Sequence, residues 1–225
     1  MPNILDNPIW NALITGNKNL ALGNDHVKYI QRDVGLFAGF NITTKKALTE
    51  LAGMISEGEK VILFMTKPIA VTGEWRTEAA RPLLQMVYTK KQTFSTDSTG
   101  IEPLHKQHVP AMLELTGITN PGPFFNRTIE LGNYEGVFNG EQLIAMIGQR
   151  MQVGHYAEVS AVCTHPDFTG RGYAARLIID QINKITAANK IPFLHVYPEN
   201  PACYLYRKLG FTVRRKLMVY FLERM

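Results

Sequence analysis

Cysteine is almost missing from this 225-residue chain, which has only Cys163 and Cys203. Two cysteines are too few for a disulfide framework and lack the spacing of a zinc site, so reduced thiols and no metal are expected. Long apolar runs are missing too, and nothing approaches the roughly 20 residues of a membrane-spanning helix. The opening MPNILDNPIW carries an acid at Asp6 and no hydrophobic region of a secretory signal. These absences predict a cytoplasmic protein without a membrane partner, in which the sequons at Asn41 and Asn126 are coincidental. Charge is not concentrated either. A net charge of +5 and a pI near 9.2 suit an anionic ligand, but no run of like charges marks a nucleic-acid-binding tail. There is no internal repeat and no low-complexity tract.

What is present is apolar material, 45% of all residues, enough to fill a substantial core in one large domain or two small ones. TKKQTFSTDSTG, residues 89–100, is polar and reads as a linker, which predicts a boundary near residue 95. Before it, residues 43–56 repeat apolar positions at helical spacing, KVILFM (60–65) reads as a buried strand, and LLQMVY (83–88) as another. After it, a helix is expected over 105–119 and a hairpin about Asn139-Gly140. Strands are expected over 157–163 and 191–196, with a helix beginning near Tyr173 between them. A short helix stopped by Gly210 and a final strand pair, FTVRRK with LMVYFL, complete the reading.

The chemistry concentrates in VCTHPDFTGRGYAARL, residues 162–177. Gly170 and Gly172 let a backbone approach a ligand closely, Arg171 adds charge, and the helix start beyond them presents unpaired N–H groups, a combination that favours phosphate. The spacing Gly170-x-Gly172-x-x-Ala175 also satisfies a dinucleotide-binding fingerprint. That reading fails, because HPDFT separates the glycines from the strand and too little chain follows for a doubly wound sheet.

The run AEVSAVCTHPDFTGRGYAARL, followed by NPACYLYRKLGF, resembles the GNAT superfamily of acyl-coenzyme A dependent N-acetyltransferases, in its FR47-like branch. The likeness covers about residues 100–225. It implies an α/β (α+β) fold, a mixed and mostly antiparallel sheet flanked by helices over residues 96–225, with residues 1–95 as a smaller α/β part, read as a degenerate companion of the same fold. Acetyl-CoA is the implied cosubstrate. The resemblance places its pyrophosphate on Thr169, Gly170, Arg171, Gly172, Tyr173, Ala174 and Ala175, and its pantetheine arm against Val162, Cys163 and Thr164. Thr169 stands where the family usually has Gln or Arg. Asn200 is a further expected cofactor contact, although the interval to Tyr206 is one residue shorter than usual.

Acyl transfer requires a neutral amine, a polarised thioester and a leaving thiolate. Glu158, an acid in an apolar strand, is the expected base, with burial raising its proton affinity and alternation placing it on a face with Ser160 and Val162, opposite Cys163. Tyr206 matches the family's proton donor to the thiolate. Its plainer reading is a core aromatic. Phe124, Phe125 and His195 are candidate acceptor contacts, each also readable as core. The expected activity is transfer of an acetyl group to a primary amine of a small molecule or peptide by direct attack in a ternary complex. The alternative is a catalytically silent CoA-binding sensor. The sequence leaves the acceptor and the oligomeric state open.

Overall fold

The computed structural model describes residues 3–90, 94 and 98–225. Pro8–Ile14 form α1, opened by Pro8, whose missing N–H costs nothing in a first turn. Three short strands follow, β1 (Ala21–Gly23), β2 (Val27–Ile30) and β3 (Ala38–Phe40), forming a small antiparallel sheet of their own. Helix α2 (Lys45–Ala52) is started by Thr44, whose hydroxyl accepts from the Ala47 N–H, and buries Ala47, Leu48, Leu51 and Ala52. Next come β4 (Lys60–Met65), β5 (Trp75–Tyr88) and the two-residue β6 (Glu102–Pro103). Helix α3 (Val109–Thr119) precedes the hairpin of β7 (Glu135–Asn139) and β8 (Gln142–Val153), then β9 (Tyr156–Thr164). Helix α4 (Tyr173–Ala187), β10 (Ile191–Val196), α5 (Ala202–Leu209) and β11 (Phe211–Arg224) close the chain.

Eight strands form one sheet in the order β4-β11-β5-β10-β9-β8-β7-β6, antiparallel throughout except between β9 and β10. Helices α1 and α3 pack on one face and α4 and α5 on the other. The amphipathic α4 buries Leu177, Ile178, Ile182 and Ile185, each contributing about 2 kcal/mol of apolar burial, which fixes its start beside the end of β9.

Two expectations need correction. The boundary near residue 95 falls on a residue outside the described ones, and the sheet crosses it: β5, from the earlier part, lies between β11 and β10. From the earlier part, β4 and β5 therefore belong to the eight-stranded sheet, while β1–β3 form their own small sheet. The final strand pair is a single 14-residue strand, because FTVRRK and LMVYFL run on through an irregularity at Arg214 instead of turning.

Close packing shows at Gly148, where a side-chain carbon would lie 2.3 Å from the ring of buried Tyr134. Gly148→Ala should therefore lower stability by about 1–3 kcal/mol in urea unfolding, as overpacking does. An unchanged midpoint would show that the Tyr134 ring yields freely.

Candidate active site

β9 and β10 run side by side over only three pairs, ending at Glu158–Phe193, although β9 continues to Thr164 and β10 to Val196. Beyond the last pair the strands part in a V. On its other side β9 stays bound to β8, so Cys163 faces Met146 and Thr164 faces Ala145. Among the described residues, no strand pairs with the backbone edge of β9 that looks toward β10 from Val159 onward. His195, on the parted stretch of β10, keeps its side chain 1% exposed while the residue as a whole is half-buried, so the exposure belongs to its backbone.

At the open end of the V the chain turns through Pro166–Phe168 into the glycine loop. Gly170 and Gly172 take φ of 75° and 83°, the left-handed region, and added side-chain carbons there would meet nothing within 4 Å. Gly172 caps α4 without any side-chain hydrogen bond to the first turn, which leaves the N–H groups of Tyr173, Ala174 and Ala175 at an exposed, positively polarised helix start. Arg171 lies over the Phe168 ring at 4.9 Å and donates to the Asp167 carbonyl. Thr169 spends its hydroxyl on the Pro166 carbonyl at 2.9 Å. The Thr164 hydroxyl is buried without a hydrogen-bond partner among the described residues. A free strand edge, an uncapped helix start with open space above two glycines, and an orphaned hydroxyl fit an elongated ligand that carries amide groups and ends in phosphate.

The vertex of the V is polar and buried. Glu158 is fully inaccessible, and its two oxygens accept from Arg150, Nε at 2.9 Å and Nη2 at 2.5 Å, and from His195 Nδ1 at 2.7 Å. The other His195 nitrogen, Nε2, lies 3.0 Å from the Gln85 amide nitrogen, which also donates to the Leu5 carbonyl. Arg214 donates to the Gln85 amide oxygen at 2.7 Å, which fixes the amide's orientation. Gln85 therefore donates to His195 Nε2, and the ring proton sits on Nδ1, aimed at Glu158. Arg150 stacks at 4.9 Å over the ring of Phe37, and His195 at 4.7 Å on Phe64.

This geometry corrects the expectation of a raised proton affinity at Glu158. Burial does push its carboxyl up, but the Arg150 charge and hydrogen bonds, with the His195 hydrogen bond, outweigh burial and hold it at about 2. Burial, opposed by Glu158, also keeps His195 below its ordinary value and neutral. A second correction concerns faces. Ala161 adopts φ 51° and the β8 register slips there, so strand alternation resets. Val162 packs with α4 and α5, while Cys163 joins the core on the Glu158 face, its thiol pushed up to about 11 by burial. Tyr206 is buried in the same cluster as Val162, Leu194 and Val196, which flank the V, with its ring 6.1 Å from Phe211. Burial pushes its hydroxyl up to about 12.

A protein of the GNAT family from Novosphingobium aromaticivorans matches this chain over 100% of both lengths at 33% identity, with a TM-score of 0.92. The chain belongs to the GNAT family. The description FR47-like protein matches residues 134–220, the hairpin through most of β11. The GNAT fold extends to a GCN5-related N-acetyltransferase from Kribbella flavida (12% identity, TM-score 0.58, covering 96% of this chain and 95% of that one). A second, from Sphaerobacter thermophilus, gives 14%, 0.55, 100% and 95%. No curated protein matches the sequence.

The remaining GNAT site candidates lie apart from the vertex. Asn200 is exposed and its side chain accepts from the Ala202 N–H, so it serves the start of α5. Phe124 packs edge-on against Tyr134 at 5.7 Å, on the Glu158 side of the sheet. Phe125 is half-buried, its N–H donating to the Thr128 hydroxyl. Sequence reasoning missed Arg150 and Gln85. A signal existed for both, since each is a polar residue inside an apolar strand and needs a partner.

Proposed function

We propose that this GNAT protein is an acyl-CoA-dependent N-acyltransferase that moves an acetyl group from acetyl-CoA to a primary amine by direct attack in a ternary complex. The observation that carries the reading is the parting of β9 and β10 beside an uncapped helix start. The β9 edge at Val162, Cys163 and Thr164 would bind the pantetheine amides. The backbone from Thr169 to Ala175, with Arg171, would hold the pyrophosphate. Bound acetyl-CoA supplies the activated thioester. No metal-ligating cluster of three or more His, Cys, Asp or Glu occurs among the described residues, and the proposed chemistry calls for none.

In this proposal Glu158 is a positioning residue rather than the base. A carboxylate at about 2, with both oxygens engaged, has little affinity for an ammonium proton. Its bond to His195 spans the vertex and sets how far the strands part. The amine then reacts as its neutral fraction, so the rate should rise with pH along the acceptor's own titration. Tyr206 keeps its proton well above neutral pH. Full transfer to a thiolate of ordinary acidity, about 8.5, runs uphill, so its hydroxyl acts as a hydrogen-bond donor to the developing thiolate. Tyr206→Phe should lower kcat about tenfold with unchanged CoA affinity and melting temperature. An unchanged kcat would leave the ring as core packing alone. Thiol release from acetyl-CoA in the presence of primary amines tests the activity itself. A small-molecule or peptide amine in the cytoplasm is the proposed acceptor. Among the described residues no helix is long and apolar enough to cross a membrane.

A further inference from the structure

A second cleft, of about 400 Å³, lies between the hairpin β7–β8 and the last turns of α4. Its origin is one extra residue in β8: Gln149 faces Val159 and Gln152 faces Ala157, so Arg150 and Met151 together oppose Glu158. That bulge sends Arg150 to the vertex of the V and turns both flanking glutamines into the cleft. A continuous row of amides results. Lys190 donates to the Gln152 oxygen at 2.7 Å, Gln152 to Gln149 at 2.8 Å, and Gln149 to the fully buried Gln181 at 2.9 Å. Gln181 donates in turn to Glu135 at 2.6 Å.

The two ends of the row differ in charge. At one, Glu135 and Asp180, both buried, share the single ammonium of Lys184, and burial raises the proton affinity of Glu135 against the pull of that ammonium. At the other, Lys190 spends one ammonium hydrogen on Gln152. Apolar side chains do not fill the space between, as they do elsewhere under α4. A water-accessible cleft of this size, with a row of amides between an acidic and a basic end and apolar walls from Ile185, Ala188, Ala157 and Pro103, suits a small ligand that is itself zwitterionic and amide-bearing. We infer that this cleft binds a short zwitterionic peptide, its carboxylate toward Lys190, its ammonium toward the Glu135–Asp180 end, and its peptide group along the glutamine row. The site is separate from the V and from the glycine loop.

Calorimetric titration of the full chain without CoA tests this, with glycylglycine, glycylglycinamide (no carboxylate) and N-acetylglycylglycine (no ammonium) as probes. Glycylglycine should bind, each blocked probe should bind about tenfold more weakly, and Lys190→Ala should cost glycylglycine about tenfold while CoA affinity stays unchanged. Lys190 holds its backbone N–H on the Ile185 carbonyl, which alanine preserves, so folding is not at stake. Absence of binding at millimolar glycylglycine, equal binding of the three probes, or binding indifferent to Lys190→Ala would each overturn the inference. The last would place the peptide elsewhere, including at the acceptor side of the V. Because no acyl donor is present, the outcome is independent of whether the protein acetylates anything.

Discussion

Replacing Arg150 by alanine will destabilise the protein by about 3 kcal/mol, because it leaves the Glu158 carboxylate fully buried with His195 as its remaining partner. The figure takes the lower end of what breaking a buried pair costs, since the Arg150 side chain is 23% exposed and water enters readily once it is gone. The effect depends on pH with a definite sign. The Glu158 carboxyl titrates lower in the folded state, at about 2, than in the unfolded chain, near 4.5. Its contribution is therefore complete above about pH 4.5 and is lost as pH falls toward 2. Urea unfolding of wild type and Glu158→Gln from pH 7 to 2.5 should show the two curves converging at the acid end. Curves that remain parallel would mean that Glu158 is not held ionised. In the same variant CoA affinity should drop, because the vertex loosens, while the midpoint of the rate–pH profile stays where the acceptor amine puts it. A general base would show the reverse pattern, with intact affinity and activity returning at alkaline pH.

Gly172→Val will weaken CoA binding by about a hundredfold, the scale of losing two charge-assisted hydrogen bonds to phosphate. The residue takes φ 83°, so valine there is also strained by about 1–2 kcal/mol and the melting temperature should fall modestly. Circular dichroism separates the two effects. The added side chain points into open space in the free protein, so loss of affinity in a folded variant reports the ligand's place and not a clash with the chain. A folded variant with wild-type affinity would move the phosphate away from this loop.

Much of this architecture was legible in the sequence, for local reasons. The hairpin at Asn139-Gly140, the amphipathic α4 and the apolar run Val61–Met65 carry their signal within a few residues. The glycine loop was legible because positive φ and close approach both demand glycine. What escaped notice depends on contacts distant in sequence. Nothing in LLQMVY says that β5 will lie between β11 and β10, yet that placement brings Gln85 to His195. Alternation failed at Ala161 because a bulge leaves no mark that a non-glycine residue would reveal, and with it failed the assignment of Cys163 to the far face. The polarity of Glu158 was read correctly as exceptional. The sign of its shift was not, because it is decided by Arg150, eight residues back across the β8–β9 hairpin.

The measurement that bears most directly on the account is thiol release from acetyl-CoA by the full-length protein against a panel of primary amines, amino acids and peptides. The account predicts amine-dependent release with at least one acceptor, rising with pH as that amine becomes neutral and reduced about a hundredfold in Gly172→Val at subsaturating acetyl-CoA. Tight CoA binding with no release above background for any amine would contradict it and leave a CoA-binding module in place of an enzyme.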